Sequence, residues 1–244
     1  MFFDKLKSVI KTPEIEFLCR EEDFGVIPKP YPSRKLMPDW YKALPQFKEN
    51  QRALGNDHST LKRCPPFLDA MCIGWIIPLA ADVEIKTNYD GSGVEYRWGY
   101  NKTMVESHKN WQVSADESPN PNMPKPPLKW MNYWAIKVPP GYSVLFIPPL
   151  NRPEHRFTCL SGMVDCDGYF EYVNFPFFFN ITNFTGVIEA GTPLMQAIPI
   201  KRGGIIKNGV VRKFNDQDTK HIEKIKKRYS AHNSIYRDFI WNRK

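Results

Sequence analysis

Lys137 to Arg202 reads as short apolar runs broken by turn residues: KVPPGYS, VLFIPP, FTCLSGMV, DCDGYFEYV, FPFFFNITN, GVIEAG and TPLMQAIPIKR. It closes on a Gly191-Thr192-Pro193 hinge and on Gln196, which stands among apolar neighbours. Runs of roughly four to eight apolar or alternating residues, bounded by Gly, Pro, Asn and Asp, read as strands rather than helices. Strands are expected over 129–138, 142–148, 157–164, 169–173, 177–181, 187–188 and 194–200. Upstream, 14–18 reads as a strand, 73–79 as a buried strand kinked at Pro78, and 82–86 and 94–100 as alternating strands around a Tyr89–Gly93 hairpin turn. Many short strands at this spacing point to a sandwich or barrel.

The flanks differ. Residues 1–12 place Phe2, Leu6 and Ile10 at helical spacing. Residues 27–45, IPKPYPSRKLMPDWYKALP, form a Pro-rich arm, because each residue before Pro is pushed towards extended geometry. A helix start is expected at Pro38, with Trp40, Tyr41 and Leu44 pinning the arm to the body or, in the sharper alternative, to a neighbouring subunit. Residues 48–63, 101–118 and 119–128 read as loops. Asp218 and Thr219 are candidate N-caps of a C-terminal amphipathic helix carrying Ile222, Ile225, Tyr229 and Tyr236. The 244 residues therefore divide into a helix and arm (1–47), a β body (62–202) and a basic helix (218–244), all within one domain.

The net charge of +8 gathers near the C-terminus, in Lys220, Lys224, Lys226, Lys227 and Arg228. Such a run is read first as a solvated helix face; nucleic acid is the less favoured partner. The five cysteines (19, 64, 72, 159 and 166) include no CxxC pair, so reduced thiols are expected. MFFDKLKSVIK lacks the apolar stretch of a signal peptide, and no apolar run is long enough to span a membrane. A cytoplasmic location is expected.

The order of features in 137–202 resembles the deoxyuridine triphosphatase and deoxycytidine triphosphate deaminase superfamily. Val138-Pro139-Pro140-Gly141-Tyr142 is similar to its Pro-Gly-Tyr turn. Gly162 to Asp167 is similar to its Gly-hydrophobic-Ile-Asp-x-Asp motif, and Ala190 to Gln196 to its Gly-Asp-x-hydrophobic-Ala-Gln motif. Asn180 resembles the Asn that ends the strand between them, and Asp69 to Trp75 with Asp82 to Ile85 resembles the first motif. The resemblance implies a distorted jelly-roll, or β-clip, barrel that is usually trimeric; a homo-oligomer, trimer or dimer, is expected. The whole chain also resembles a family of marine phage and bacterial proteins without an assigned activity, through MPDWY, KRCPPFLDA, PPGYS, VDCDGY, VNFPF and GTPLMQAIP. For a phage-encoded chain, the host cytoplasm or the virion is the expected place.

The resemblance also assigns candidate roles. Asp165 stands where the triphosphatases keep the Asp that orients the attacking water beside a phosphate-bridging metal, here Mg²⁺. Asp167 accompanies it, Tyr169 lies one place beyond the base-stacking Tyr, and Gln196 keeps its motif position. Other parts depart. Pro149-Leu150-Asn151-Arg152-Pro153 replaces the phosphate-binding Pro-Arg-Ser-Ser segment, removing two hydroxyls and a backbone donor. Ile76 or Trp75 stands at the first-motif Asp, no Gly-rich arm closes the chain, and Phe175 and Pro176 lie where a deaminase keeps its Glu.

From the residues alone, Asn151, Arg152, His155 and Arg156 form a candidate anion site, with ion pairing to Glu154 or Asp167 as the alternative. His155 with Glu154 or Asp165 is a candidate metal pair, for Fe²⁺ in a cupin-type oxygenase, although no His-x-Asp or His-x-Glu occurs. Asp165 and Asp167 either hold Mg²⁺ or serve the turn at Gly168. No Walker loop, GxSxG elbow, HExxH or Rossmann fingerprint is present. Two function classes remain: a non-catalytic assembly or ligand-binding module on a dUTPase-like scaffold, and an enzyme, either a pyrophosphatase-like hydrolase or a metal-dependent oxygenase.

Overall fold

The computed structural model describes residues 12–48, 59–89, 93–112, 127–231 and 236–242. The expected helix over 1–12, most of the 48–63 and 119–128 loops and the centre of the Tyr89–Gly93 turn lie outside the described residues.

The fold is mainly β. Its strands are β1 (Glu16–Leu18), β2 (Tyr31–Pro32), β3 (Trp75–Pro78), β4 (Val83–Thr87), β5 (Val94–Trp98), β6 (Val105–Ser107), β7 (Leu128–Trp130), β8 (Ala135–Lys137), β9 (Tyr142–Ile147), β10 (Phe157–Cys159), β11 (Gly162–Val164), β12 (Phe175–Phe179), β13 (Thr185–Ile188) and β14 (Pro193–Lys201). They make antiparallel sheets in the orders β11-β9-β14-β3-β2, β10-β12-β7-β6, β13-β4-β5 and β1-β8. The expected barrel is corrected: among the described residues the strands form four open sheets and no closed barrel.

Two of the expected strands are interrupted. The expected strand over 157–164 is two strands, because the chain leaves one sheet after Cys159 and enters another at Gly162. The expected strand over 129–138 breaks at Asn132. The buried Asn132 amide donates to the Trp134 and Val173 carbonyls and accepts from Trp134 N–H, so a side chain replaces the ladder there. The expected strand over 169–173 is not formed; Tyr172 makes a single bridge to Ala135.

One apolar cluster joins the sheets. Val144 and Phe146 of β9, Leu194, Met195 and Ala197 of β14 and Ile77 of β3 meet Trp130, Phe175 and Phe177 of the four-stranded sheet. Trp130 stacks on Phe177 at 4.2 Å, and Phe146 meets Phe175 at 5.5 Å. In β4, Val83, Ile85 and Thr87 point inward while Glu84 and Lys86 are exposed, the alternation of a half-buried strand.

Among the described residues the α-helices are α1 (Asp39–Ala43), α2 (Pro65–Cys72) and α3 (Asp216–Ala231). No sequence signal used above anticipates α2, yet it starts at two prolines, a start favoured because the first helical N–H has no partner to lose. Gly74 then turns the chain into β3 at φ +76°, where a Cβ would sit 2.3 Å from the Ala197 carbonyl oxygen. Tyr31 and Pro32 of the arm pair with Ile76 and Trp75, and the buried Tyr41 stacks on Phe67. α3 is capped by Asn215 rather than by Asp218: Asn215 Oδ1 accepts from Asp218 N–H, and Asp218 Oδ2 accepts from Asn215 N–H, a reciprocal box. Among the described residues no helix is long and apolar enough to cross a membrane.

Candidate functional site

The first cluster is the acidic turn after β11. The Asp165 carbonyl accepts from Gly168 and Tyr169 N–H, closing a tight turn. The Asp165 carboxylate is 69% exposed and accepts from Ser143 Oγ at 2.6 Å. Arg202, directly after β14, approaches it at 3.3 Å and clasps Asp167 with both terminal nitrogens. Asp167 is 13% exposed and also accepts from Gly141 N–H at 2.8 Å. Gly141 lies at φ +84°, which turns that N–H towards the carboxylate. The Arg202 bonds, followed by the Gly141 bond, hold the Asp167 carboxyl down at about 2. Burial first, then Asp165 and Asp167, pushes the neighbouring Cys166 thiol up to about 11. Tyr169 is half exposed on the surface of the turn.

This donor set does not fit a cation. Mg²⁺ needs carboxylate oxygens turned towards open space, and here a guanidinium occupies that position. Among the described residues no group of three or more His, Cys, Asp and Glu is placed to hold a metal.

The second cluster follows β9, and the structure divides the predicted anion-binding residues within it. Arg156 pairs with Glu154 through Nε and Nη2, both at 2.9 Å, and with Glu189 at 3.1 Å. Burial pushes the Glu154 carboxyl up, but the Arg156 bonds outweigh it and the net direction is down. Glu154, the candidate metal ligand, is thereby committed to Arg156. His155 is exposed, and its carbonyl accepts from Asn180 Nδ2. Asn151 sits at φ +58° and donates to the Phe67 carbonyl.

Arg152 points the other way, into the body. Its Nη2 donates to the Ser33 carbonyl at 3.0 Å and the Met71 carbonyl at 2.7 Å. Its Nε and Nη1, and Ser33 Oγ, are buried without a hydrogen-bond partner among the described residues. Burial lowers the Arg152 pKa. Gln196 holds this region together. Its side chain is fully buried, accepts from Leu150 N–H at 2.9 Å and donates to the Ala70 and Ile73 carbonyls at 3.0 and 2.6 Å. Every polar atom of the Gln196 amide is thus used by backbone.

A cavity of about 600 Å³ opens beside Arg152, between the arm and the loop after β9, lined among others by Lys35, Trp40, Lys42, Pro149 and Pro193. Sequence reasoning missed its arm residues, reading Trp40 only as an anchor. The signal was present in SRKLMPDWYK, where cations and an aromatic alternate between prolines. It also missed Arg202, the one basic neighbour that both aspartates share.

The two clusters are separate. Ser143, the partner of Asp165, and Ile147, opposite Gln196, are four residues apart on β9, about 13 Å at the usual rise.

No family model matches the chain, and no curated protein matches it. Among solved structures it is similar to a mutant dUTPase of Staphylococcus bacteriophage 80alpha with dUpNHpp, at 11% identity over 59% of this chain and 76% of that one, with a TM-score of 0.31. It is also similar to a mutant dUTPase from phage phi11 of S. aureus, at 11% identity over 71% and 96% of the two chains, with a TM-score of 0.30.

Proposed function

We propose that the chain is a non-catalytic ligand-binding or assembly module on a dUTPase-like scaffold. The observation that carries this reading is the engagement of Asp165 and Asp167 by Arg202. A carboxylate that must orient water or share a metal needs free lone pairs, and the Asp167 oxygens are taken by a guanidinium and a backbone N–H. Gln196 likewise serves the backbone. The chain acts as one domain, with the β body over 62–202, the arm over 1–47 and the basic segment over 218–244. It works in the cytoplasm as a homo-oligomer, a trimer or dimer.

A second reading, pyrophosphatase-like hydrolysis, keeps one supporting observation: the exposure of the Asp165 carboxylate. Pyrophosphate release from a panel of deoxynucleoside triphosphates with Mg²⁺ separates the two. No turnover above a buffer blank is expected. Turnover that Asp165→Asn abolishes would replace the module reading with the enzyme reading.

A further inference from the structure

Arg152 presents an unbalanced charge. It is held inside the body by two carbonyls, and among the described residues no carboxylate pairs with it. The cavity it lines contains three cations, Lys35, Lys42 and Arg152, and two acids, Asp39 and Glu154. Both acids are already answered: Asp39 by Lys42 Nζ at 2.9 Å, and Glu154 by Arg156. The remaining positive charges belong to Arg152 and Lys35, and of the two only Arg152 is held inside the body.

Buried polar atoms without a partner are rare in folded proteins, and each calls for a reason. Here three lie in adjoining residues: Arg152 Nε, Arg152 Nη1 and Ser33 Oγ. Ser33 is wholly buried, and its carbonyl is one of the two that hold Arg152. A buried guanidinium without a counter-ion is unfavourable unless an anion completes it. The web through Gln196 and Met71 fixes the loop that carries it, so the charge is placed before any ligand arrives.

The rest of the cavity sets the shape of the ligand. Pro149 and Pro193 offer rigid apolar surface. Trp40 packs in T-shaped geometry with Tyr41 and Phe67 at 5.6 and 6.1 Å and stays 48% exposed, so aromatic surface is open to an incoming group. Apolar and aromatic surface around a small number of placed charged groups is the usual composition of a small-molecule site.

We propose that this cavity binds a small organic anion, a phosphate- or carboxylate-bearing molecule with a flat apolar body. Arg152 is the charge partner, Lys35 draws the anion in, and Trp40 stacks on the body. The proposal names the ligand class of the ligand-binding reading above and rests on that reading. A small turn of the guanidinium gives the head group its two unused nitrogens, while the Nη2 bonds hold its other end. No bond is made or broken.

The test is isothermal titration of the full chain with phenyl phosphate, benzoate, inorganic phosphate and phenol. Saturable binding of phenyl phosphate or benzoate is expected, with inorganic phosphate and phenol each weaker by about tenfold or more. The stronger of the two aryl anions identifies the head group. Arg152→Met is expected to lose at least about tenfold in affinity. Trp40→Ala, a change at an exposed side chain that leaves the fold intact, is expected to lose several-fold for the aryl anions and nothing for inorganic phosphate. Absence of saturable binding, or binding unchanged in both variants, overturns the proposal. Should Arg152→Met fail to fold, an aryl anion that binds Trp40→Ala as tightly as the parent chain still overturns it. These outcomes are independent of the turnover assay: hydrolysis dependent on Asp165 would remove the non-catalytic reading, whereas absence of binding would remove only this one.

Discussion

β14, the longest strand, connects two arginine sites that are built in opposite ways. At its C-terminal end Arg202 meets two carboxylates, a serine hydroxyl and the Tyr142 carbonyl. Beside its N-terminal end Arg152 meets two carbonyls and no carboxylate. The acidic motif residues that suggest catalysis, Asp165 and Asp167, lie at the first site, where Arg202 answers both inside the chain. The unmatched charge lies at the second, in a loop where the family resemblance has been rewritten. Internal neutralisation marks a cross-link; an uncompensated cation beside a cavity marks a place for something else. Chemistry on this molecule is therefore better sought by which charges lack partners than by which motifs persist.

The largest expected effect tests whether the Arg152 end is rigid. Gln196→Leu keeps the volume approximately but takes the partner from Leu150 N–H and from the Ala70 and Ile73 carbonyls where they face the buried side chain. Unpartnered buried groups cost about 1–3 kcal/mol each, so a loss of roughly 3 kcal/mol or more is expected in urea unfolding. A loss below about 1 kcal/mol would mean that the loop carrying Arg152 is not held in place before ligand binding.

The next comparison sets the two arginines side by side. Arg202→Met takes the guanidinium from Asp167, leaving it to backbone N–H donors such as that of Gly141, and is expected to lower the melting temperature at neutral pH. Arg152→Met removes a buried charge together with two hydrogen bonds, opposing changes that should leave stability within about 1 kcal/mol of the parent. If Arg152→Met proved the more damaging, the distinction between cross-link and ligand site would collapse.

The Arg202 effect has a pH signature. A carboxyl whose folded value is depressed contributes stability above its unfolded value and loses it as the pH falls towards the folded one. Asp167 moves from an ordinary value of about 3.9 to about 2. The gap between the parent chain and Arg202→Met should therefore be full above about pH 5 and shrink as the pH falls towards 2. Thermal melts across that range measure it. A gap that stays constant would mean that Arg202 acts by packing alone.

Much of the fold is legible in the sequence, and the reasons for the failures are local. Period-2 patterns over 82–86 and 94–100 and apolar runs over 142–148 and 194–200 mark strands because each has one face or both faces in the core. The breaks at Asn132 and after Cys159 escape that reading because a side-chain hydrogen bond or a change of sheet leaves the apolar pattern unaltered. α2 escapes it because its prolines look like breakers when they are helix starts. At the site, spacing brings Asp165 and Asp167 together but cannot show that Arg202, thirty-five residues further on, closes over Asp167. The cavity depends on the arm folding back over Arg152, a long-range contact that no window of sequence contains.

The smallest effect is chemical rather than energetic. Cys166 lies between the two aspartates, buried, with its thiol raised to about 11. At pH 8 its thiolate population should be a few hundredfold below that of a free cysteine near 8.5, and alkylation correspondingly slow. Burial is the larger cause, so an Asp165→Asn change should quicken alkylation only slightly. Arg202→Met should quicken it more, because loosening the turn admits both water and reagent. Mass spectrometry of peptides after timed iodoacetamide labelling reads this at each cysteine. Equal labelling of Cys166 in the parent chain and Arg202→Met would show that the turn stays closed without its guanidinium, and the Arg202 end of β14 would then owe its shape to the Asp165 backbone turn and the Gly141 bond instead.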